Sequence, residues 1–476
     1  MNNLPSFNAP KITVVGTGYL GATHAICMAV MGFDVLGFDV DERKIARLSA
    51  GEVPFYEPGL PEKLHEALAS GRLRFTTDLD EVTQFGDVHF ICVGTPQAPN
   101  STAANLTFVD AAFAGLAARI TRKALLVGKS TVPIGTAARL AGMVADISPL
   151  GADLEVAWNP EFLREGYAVQ DTLHPDRLVF GVASAWSESM LRRAFAPLLA
   201  DGTPLIVADM PTAELVKVAA NSFLATKISF INAMAEVCEA TAADVSTLAK
   251  ALSLDDRIGG RFLKPGLGFG GGCLPKDIRA FKHRAEQLGV GQAVSFLGEV
   301  DSINNRRRVR TVDLVRELAG GSLAGVRVAA LGAAFKPNSD DVRDAPALDV
   351  ARMLYLEGAV VTVYDPEANA NAHRLYPDLN YVDSLAAAVE GADVVALLTE
   401  WDEFRSAGPD YLGGLVRHRR IVDGRHALDS GLYVSSGWEY RALGRPYQAA
   451  PYGTAPYGTA PAGQAAVADA ELKRPA

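Results

Sequence analysis

Short apolar runs alternate with amphipathic stretches along the first part of the chain. Lys11 to Val15 reads as a strand and runs directly into Gly16-Thr17-Gly18-Tyr19-Leu20-Gly21. A helical pattern follows from Ala22 to Met31, and a second strand, Phe33 to Phe38, ends at Asp39. Further strand-like runs are Val88 to Val93, Ala124 to Lys129, Leu154 to Ala157 and Leu178 to Gly181, with helical stretches between several of them. Strands alternating with helices predict a mainly parallel sheet covered on both faces.

Near residue 205 the pattern changes. Asp209-Met210-Pro211 reads as a helix start with proline in the first turn. Thr212 to about Thr241 contains neither proline nor glycine, and thirty helical residues would span about 45 Å. Such a helix connects two domains or makes a subunit contact. More helix follows to about Leu318, interrupted by a glycine-rich loop at residues 259–272. Alternation then resumes with Val326 to Leu331, Val360 to Tyr364, Val394 to Leu398 and Arg420 to Asp423. The predicted fold is α/β: two Rossmann-like doubly wound domains joined by a long central helix. The expected boundaries are 1–205, 206–320 and 321–445. Residues 446–476 repeat Pro-Tyr-Gly-Thr-Ala at 451–455 and 456–460, have no periodic apolar face, and are expected to be a disordered tail.

Composition narrows the class. The 476 residues are 49% hydrophobic and 21% charged, which excludes wholesale disorder. Forty-five Lys and Arg against 55 Asp and Glu give a net charge of −10, so a nucleic-acid partner is not expected. The four cysteines (Cys27, Cys92, Cys238, Cys273) have no C-x-x-C spacing, which suits a reducing cytosol. The N-terminus lacks signal-peptide features, and no apolar run reaches the ~18 residues of a membrane helix. The expectation is a soluble, cytoplasmic protein with no membrane partner and no metal centre.

The candidate chemistry begins at the glycine turn. Gly16, Gly18 and Gly21 follow a strand and open a helix, and Asp39 ends the next strand. That context makes the turn a dinucleotide fingerprint, with the pyrophosphate at the helix N-terminus. Asp39 would accept hydrogen bonds from the adenosine ribose and favour NAD over NADP. Arg43 is either a cation that could accommodate a 2′-phosphate or a solvated helix residue.

A second centre is the loop Lys264-Pro265-Gly266-Leu267-Gly268-Phe269-Gly270-Gly271-Gly272-Cys273-Leu274-Pro275-Lys276-Asp277. Five glycines in the seven positions 266–272 would let a ligand lie against bare backbone. Cys273 precedes a helix announced by Pro275, where the helix N-terminus and Lys276 would stabilise a thiolate. Asp277 lies one helical turn further on. The other three cysteines read as core residues. Lys217 and Asn221, at i and i+4 on the long helix, share a face and could steady an oxyanion. They could also be a plain surface pair. Thr131, in Ser130-Thr131-Val132-Pro133, and Glu161, in Asn159-Pro160-Glu161-Phe162-Leu163-Arg164-Glu165-Gly166, follow strand ends and could hold a water. Alternatively, Glu161 is a first-turn carboxylate favoured by a helix dipole.

Six motifs in this order carry a resemblance. They are Gly-x-Gly-Tyr-x-Gly, Ser-Thr-Val-Pro-x-Gly-Thr, Asn-Pro-Glu-Phe-Leu-Arg-Glu-Gly, Glu-Leu-x-Lys-x-x-x-Asn, Gly-Phe-Gly-Gly-x-Cys-x-Pro-Lys-Asp and Ala-Phe-Lys-Pro-x-x-Asp-Asp-x-Arg. Over about residues 11–435 the chain resembles the UDP-glucose/GDP-mannose dehydrogenase family. The resemblance implies an NAD-dependent four-electron oxidation of UDP-glucose to UDP-glucuronate, or the same chemistry on a UDP-N-acetyl-hexosamine or GDP-mannose. Cys273 would form a thiohemiacetal and then a thioester, with Lys217 and Asn221 steadying the oxyanion. Asp277 would assist proton transfer, and Glu161 and Thr131 would position the hydrolytic water.

The implied cofactor set is Gly16, Gly18, Tyr19, Leu20, Gly21, Asp39, Arg43, Thr95, Thr131, Glu165, Lys276 and Arg343. The implied substrate set is Glu161, Phe162, Leu163, Lys217, Asn221, Arg257, Lys264, Phe269, Gly270, Lys336 and Arg425. Arg257 would come from a partner subunit, so a homodimer or larger homo-oligomer is expected. Gly272 stands where many members have Ser, and Leu274 where many glucose-specific members have Phe. A single-step NAD-dependent hydroxyacid dehydrogenase shares the Lys-x-x-x-Asn helix but lacks the Cys273 loop and a second nucleotide-type domain. A non-catalytic NAD-binding protein would not need the Cys273 set.

Overall fold

In the computed structural model, residues 9–447 are described. The repeats of the expected tail, at 451–460, lie outside them. The predicted apolar runs become short strands because side chains on both of their faces are covered. The first sheet contains β1 (Ile12–Val15), β2 (Val35–Phe38), β3 (Leu73–Thr76), β4 (Val88–Ile91), β5 (Leu125–Gly128), β6 (Glu155–Trp158), β7 (Leu178–Gly181) and β8 (Leu205–Ala208). Their order is β3-β2-β1-β4-β5-β6-β7-β8. The first six in that order run parallel, while β7 meets β6 antiparallel at Trp158 and Gly181. The sequence pattern missed β3 and β8. Both are edge strands with partly exposed residues, so neither presents a continuous apolar run.

A second, wholly parallel sheet contains β9 (Arg327–Leu331), β10 (Val360–Tyr364), β11 (Asn380–Tyr381), β12 (Val394–Leu397), β13 (Arg420–Asp423) and β14 (Glu439–Ala442). Its order is β11-β10-β9-β12-β13-β14. Again the two strands the pattern missed, β11 and β14, are the edges. Strand order reverses between β1 and β4 and between β9 and β12. Ligand crevices in such sheets open at these points, beyond the carboxyl ends of the strands.

The long helix spans Met210–Thr241, 32 residues, or about 48 Å. Asp209 caps it by accepting from the Thr212 amide at 2.7 Å, and Pro211 sits in its first turn. It packs on helices Leu274–Gln287 and Phe296–Leu318. A small core of Ala225, Phe269, Ile278, Leu297 and Val300 seals the three together. Among the described residues no helix is long and apolar enough to cross a membrane.

Candidate active site

The glycine turn after β1 has the geometry that its motif predicts. Gly16 has φ +90, with Val93 backbone 3.0 Å from where a Cβ would stand. A Cβ on Gly21 would lie 1.8 Å from the Gly16 carbonyl oxygen, so this glycine lets the helix pack on the strand. Gly18 has nothing within 4 Å of its Cβ position, which leaves its backbone open to a ligand at the start of helix Tyr19–Val30. Leu20 packs, partly buried, against the core. The Tyr19 hydroxyl donates to Glu57, which also accepts the Gly166 and Ala168 amides at 2.6 and 2.7 Å. Tyr19 therefore ties the glycine turn to the loop that carries Glu165.

At the end of β2, Asp39 accepts from the Thr17 amide at 2.9 Å and from Lys44 Nζ at 2.7 Å. Burial works against its charge, but Lys44 and the backbone N–H groups prevail and hold it below the usual carboxylate range. The cation on Asp39 is Lys44, whereas Arg43 is exposed. Sequence reasoning missed Lys44, although its place on the first turn of helix Glu42–Ser49 was a usable signal. The open Gly18 backbone and the ionised Asp39 are donors and acceptors that fit a dinucleotide.

The second centre collects side chains from all three parts of the chain. Cys273 is exposed and caps helix Leu274–Gln287, with Pro275 in its first turn. Lys217 is buried and pairs with Glu161, Nζ to Oε1, at 2.8 Å. The other Glu161 oxygen accepts the Leu163 amide at 2.6 Å. Asn221 Nδ2 donates to Asp277 Oδ2 at 2.7 Å, and Lys276 Nζ donates to Asp277 Oδ1 at 2.6 Å. Thr95 Oγ1 donates to the Thr131 carbonyl at 2.9 Å, and Thr131, Lys276 and Asp277 line one cavity. Phe162 lies under Lys217, its ring centre 5.6 Å from Nζ, and Leu163 is half-buried beside it.

Electrostatics correct one expectation. Cys273 opens onto solvent but is closely surrounded by protein, and this desolvation, with Glu161, Asp277 and Glu165 nearby, pushes its thiol up to about 12. Lys217 pulls the other way without prevailing. Burial and the nearby carboxylates thus favour the thiol over the thiolate that the helix N-terminus was expected to stabilise. Nor is Lys276 its cation, since that ammonium is taken by Asp277. Burial works against the Lys217 charge, but the Glu161 and Asp277 carboxylates prevail and hold the ammonium above its usual range. Cys27 and Cys92 are buried core thiols, both pushed up to about 12 by burial, and Cys238 is buried as well.

The glycine loop is used differently from the expectation. A Cβ at Gly270 would meet the Asp344 carbonyl at 2.3 Å, at Gly271 the Phe335 ring at 2.9 Å, and at Gly272 the Arg343 guanidinium at 2.2 Å. At Gly268 it would meet Asn304 Oδ1 at 2.1 Å. These glycines let the loop press against the third domain and helix Phe296–Leu318. Phe269 belongs to the core, and its amide and carbonyl both bind the Asn304 side chain, at 2.8 and 2.9 Å. Neither its ring nor its polar backbone is free to line a pocket.

The third domain brings its cationic loop to the same place. Arg343 pairs with Asp341 and reaches Glu165 at 3.4 Å, and Ser339 Oγ donates to Glu165 at 3.2 Å. Burial and then Asp341 push Glu165 up to about 7, against Arg343 and Lys336. Burial pushes Lys336 down, opposed by the Glu165 carboxylate. Arg425 spends its guanidinium on the carbonyls of Leu398, Gly268 and Phe335, at 2.7, 3.0 and 3.1 Å. It is a brace between loops in this state. Arg257 is 89% exposed, forked onto Asp255, and Lys264 is exposed too. The structure does not bring these two to the cluster within one chain. Glu214, quoted in a motif but given no role, accepts the Gly135 and Ala137 amides and so fixes the loop after Thr131 to the long helix.

Comparisons with known proteins agree along the whole described chain. Three domains of one family match in order: its NAD binding domain at residues 10–199, its central domain at 211–306 and its UDP binding domain at 329–430. The UDP-glucose 6-dehydrogenase of Rhizobium meliloti is 39% identical over 438 residues, covering 92% of this chain and 100% of that relative. That of Pseudomonas aeruginosa is 39% identical over 449 residues, covering 92% and 98%. Among solved structures, a UDP-glucose dehydrogenase from Pyrobaculum islandicum superposes with a TM-score of 0.85 at 36% identity, covering 94% of this chain and all of that one. A UDP-D-ManNAc dehydrogenase from Pyrococcus horikoshii superposes at 0.80 with 27% identity, covering 91% and 99%. With its NAD-binding glycine turn, its cysteine cluster and all three domains matched, the chain belongs to the UDP-glucose/GDP-mannose dehydrogenase family.

Proposed function

We propose that this chain oxidises the 6-hydroxyl of UDP-glucose to a carboxylate, giving UDP-glucuronate and reducing two NAD per sugar. NAD supplies the hydride acceptor for both oxidations. The observation that carries the reading is one exposed cysteine within charge range of Glu161, Lys217 and Asp277. Asp277, held by Asn221 and Lys276, takes the proton of the sugar hydroxyl through water in the first oxidation. Cys273 then adds to the aldehyde. A thiol held protonated attacks only as its proton leaves, so attack is coupled to transfer to a nearby carboxylate. The Lys217 ammonium and Asn221 amide steady the oxyanion of the thiohemiacetal. The second oxidation leaves a thioester, and a water placed by Glu161 and Thr131 cleaves it.

The UDP-type third domain and the identity to UDP-glucose dehydrogenases support UDP-glucose over other nucleotide sugars. That third domain is also what a single-step hydroxyacid dehydrogenase lacks. A homodimer through the long helix is part of the proposal, with Arg257 supplied across it. Phe223, Phe230 and Val237 recur every seven residues on that helix and are 67%, 49% and 53% exposed. The cytosol is the compartment that four unpaired cysteines suit.

The test counts NADH by absorbance against UDP-glucose, UDP-N-acetylglucosamine, UDP-N-acetylmannosamine and GDP-mannose. The expected result is two NADH per sugar, fastest with UDP-glucose, and a uronate product. One NADH with free aldehyde accumulating would reject the thioester route.

A further inference from the structure

One buried cation beside the cluster has no part in the mechanism above. Lys129 is the first residue after β5, directly before Ser130-Thr131, and is 7% exposed. Its Nζ donates to Asn159 Oδ1 at 2.8 Å. Asn159 is held on two further sides: its amide donates to the Gly128 carbonyl at 2.8 Å and its Nδ2 to the Val179 carbonyl at 2.9 Å. Two residues on, Glu161 makes the 2.8 Å bridge to Lys217. Lys129 therefore joins the two loops that carry Thr131 and Glu161, from beneath.

We infer that Lys129 is a positioning residue for Glu161, holding the Asn159-Pro160-Glu161 turn through Asn159 and supplying a second positive charge that keeps the Glu161 carboxylate ionised. The inference rests on the proposed oxidation, in which Glu161 must stay charged to hold Lys217 and water. Four titratable groups face Lys129: Cys92 beyond β4, His24 on the glycine-turn helix, Glu161, and Lys217 on the long helix. Phe90 and Phe195 close the remaining sides, with ring centres 6.0 and 5.7 Å from Nζ. A lysine serving the fold alone would be poorly placed there, because apolar walls penalise its charge. Burial pulls Lys129 down to about 8, with the Glu161 carboxylate resisting and Lys217 adding to the fall. The 2.8 Å bond to Asn159 Oδ1 and the Glu161 carboxylate favour its ammonium form.

The experiment uses the full chain and two variants, Lys129→Met and Asn159→Ala. For Lys129→Met, kcat at pH 7 is expected to fall at least tenfold while KM for NAD stays within threefold. The acidic limb of kcat should also move up by about half a pH unit or more, because Glu161 loses a cation. Asn159→Ala keeps the charge and cuts the bridge, so kcat should fall without movement of that limb. A substrate-free readout tests the burial of the charge. A lysine lowered by folding binds fewer protons folded than unfolded between about pH 8 and 10.4, so its cost to stability fades as pH rises through that window. The Tm of wild type relative to Lys129→Met should accordingly rise from pH 7 to pH 10. An unmoved acidic limb, or equal loss at every pH, would make Lys129 a purely structural residue and overturn the inference. If Lys129→Met does not fold, an Asn159→Ala enzyme with unchanged kcat overturns it instead. Wild type failing to reduce NAD with any nucleotide sugar would instead sink the proposed oxidation, while the Tm comparison would still report on Lys129.

Discussion

Cys273 stands at the centre of the chemistry at the residue scale. Burial in the cleft, and then the Glu161 and Asp277 carboxylates, push its thiol up to about 12. Its alkylation by iodoacetamide in the ligand-free protein should therefore keep rising with pH beyond 9, with no plateau near neutrality, when followed by mass spectrometry. A plateau near pH 7 would show a thiolate already stabilised. Cys273→Ser should lower kcat by at least ~10³, or about 4 kcal/mol in barrier, with little change in substrate affinity. Asp39 teaches the complementary lesson. Its place at the end of a strand was legible from the glycine spacing. Its partner was not, because Arg43 and Lys44 are adjacent in sequence and only the direction of the helix decides which side chain turns back to the carboxylate.

The long helix and the glycine loop carry the consequences at the element scale. A helix of 32 residues with Phe223, Phe230 and Val237 exposed at heptad spacing needs a cover for that stripe. If the proposed homodimer forms through this stripe, wild type should sediment as a dimer and replacing Phe223 and Phe230 together by Glu should give monomers. If Arg257 comes from the partner, KM for the sugar should rise in step. In the glycine loop, Gly268→Ala places a Cβ 2.1 Å from Asn304 Oδ1 at φ +94. A loss of about 2 kcal/mol or more is expected in denaturant unfolding. The run of glycines was legible as a demand for close approach. What approaches was not, because the facing groups Asp344, Phe335, Arg343 and Asn304 lie far away in sequence.

For the whole molecule, the cleft is also where the first and third domains meet, at Glu165, Ser339 and Arg343. Burial and Asp341 push Glu165 up to about 7. A carboxyl raised by folding binds more protons folded than unfolded between about 4.3 and 7. Its contribution is full below that window and is lost as pH rises through about 7. Glu165→Gln should flatten the dependence of Tm on pH between about 5 and 8. An unchanged slope would place the titrating group elsewhere.

The chain alone determined the central strands, the glycine turn, the start of the long helix and the order of the motifs. These depend on periodicity, turn chemistry and caps, which act between residues close in sequence. Edge strands β3, β8, β11 and β14 escaped because half-exposed strands need no apolar run. Tertiary structure alone decided the electrostatics and partners: a Cys273 thiol raised by burial, Lys44 on Asp39, Arg425 spent on carbonyls, Lys129 on Asn159 two residues before Glu161. Desolvation and Coulomb interaction act through space, and the groups that set them arrive from strands and helices that only the completed fold brings within a few ångströms of one another.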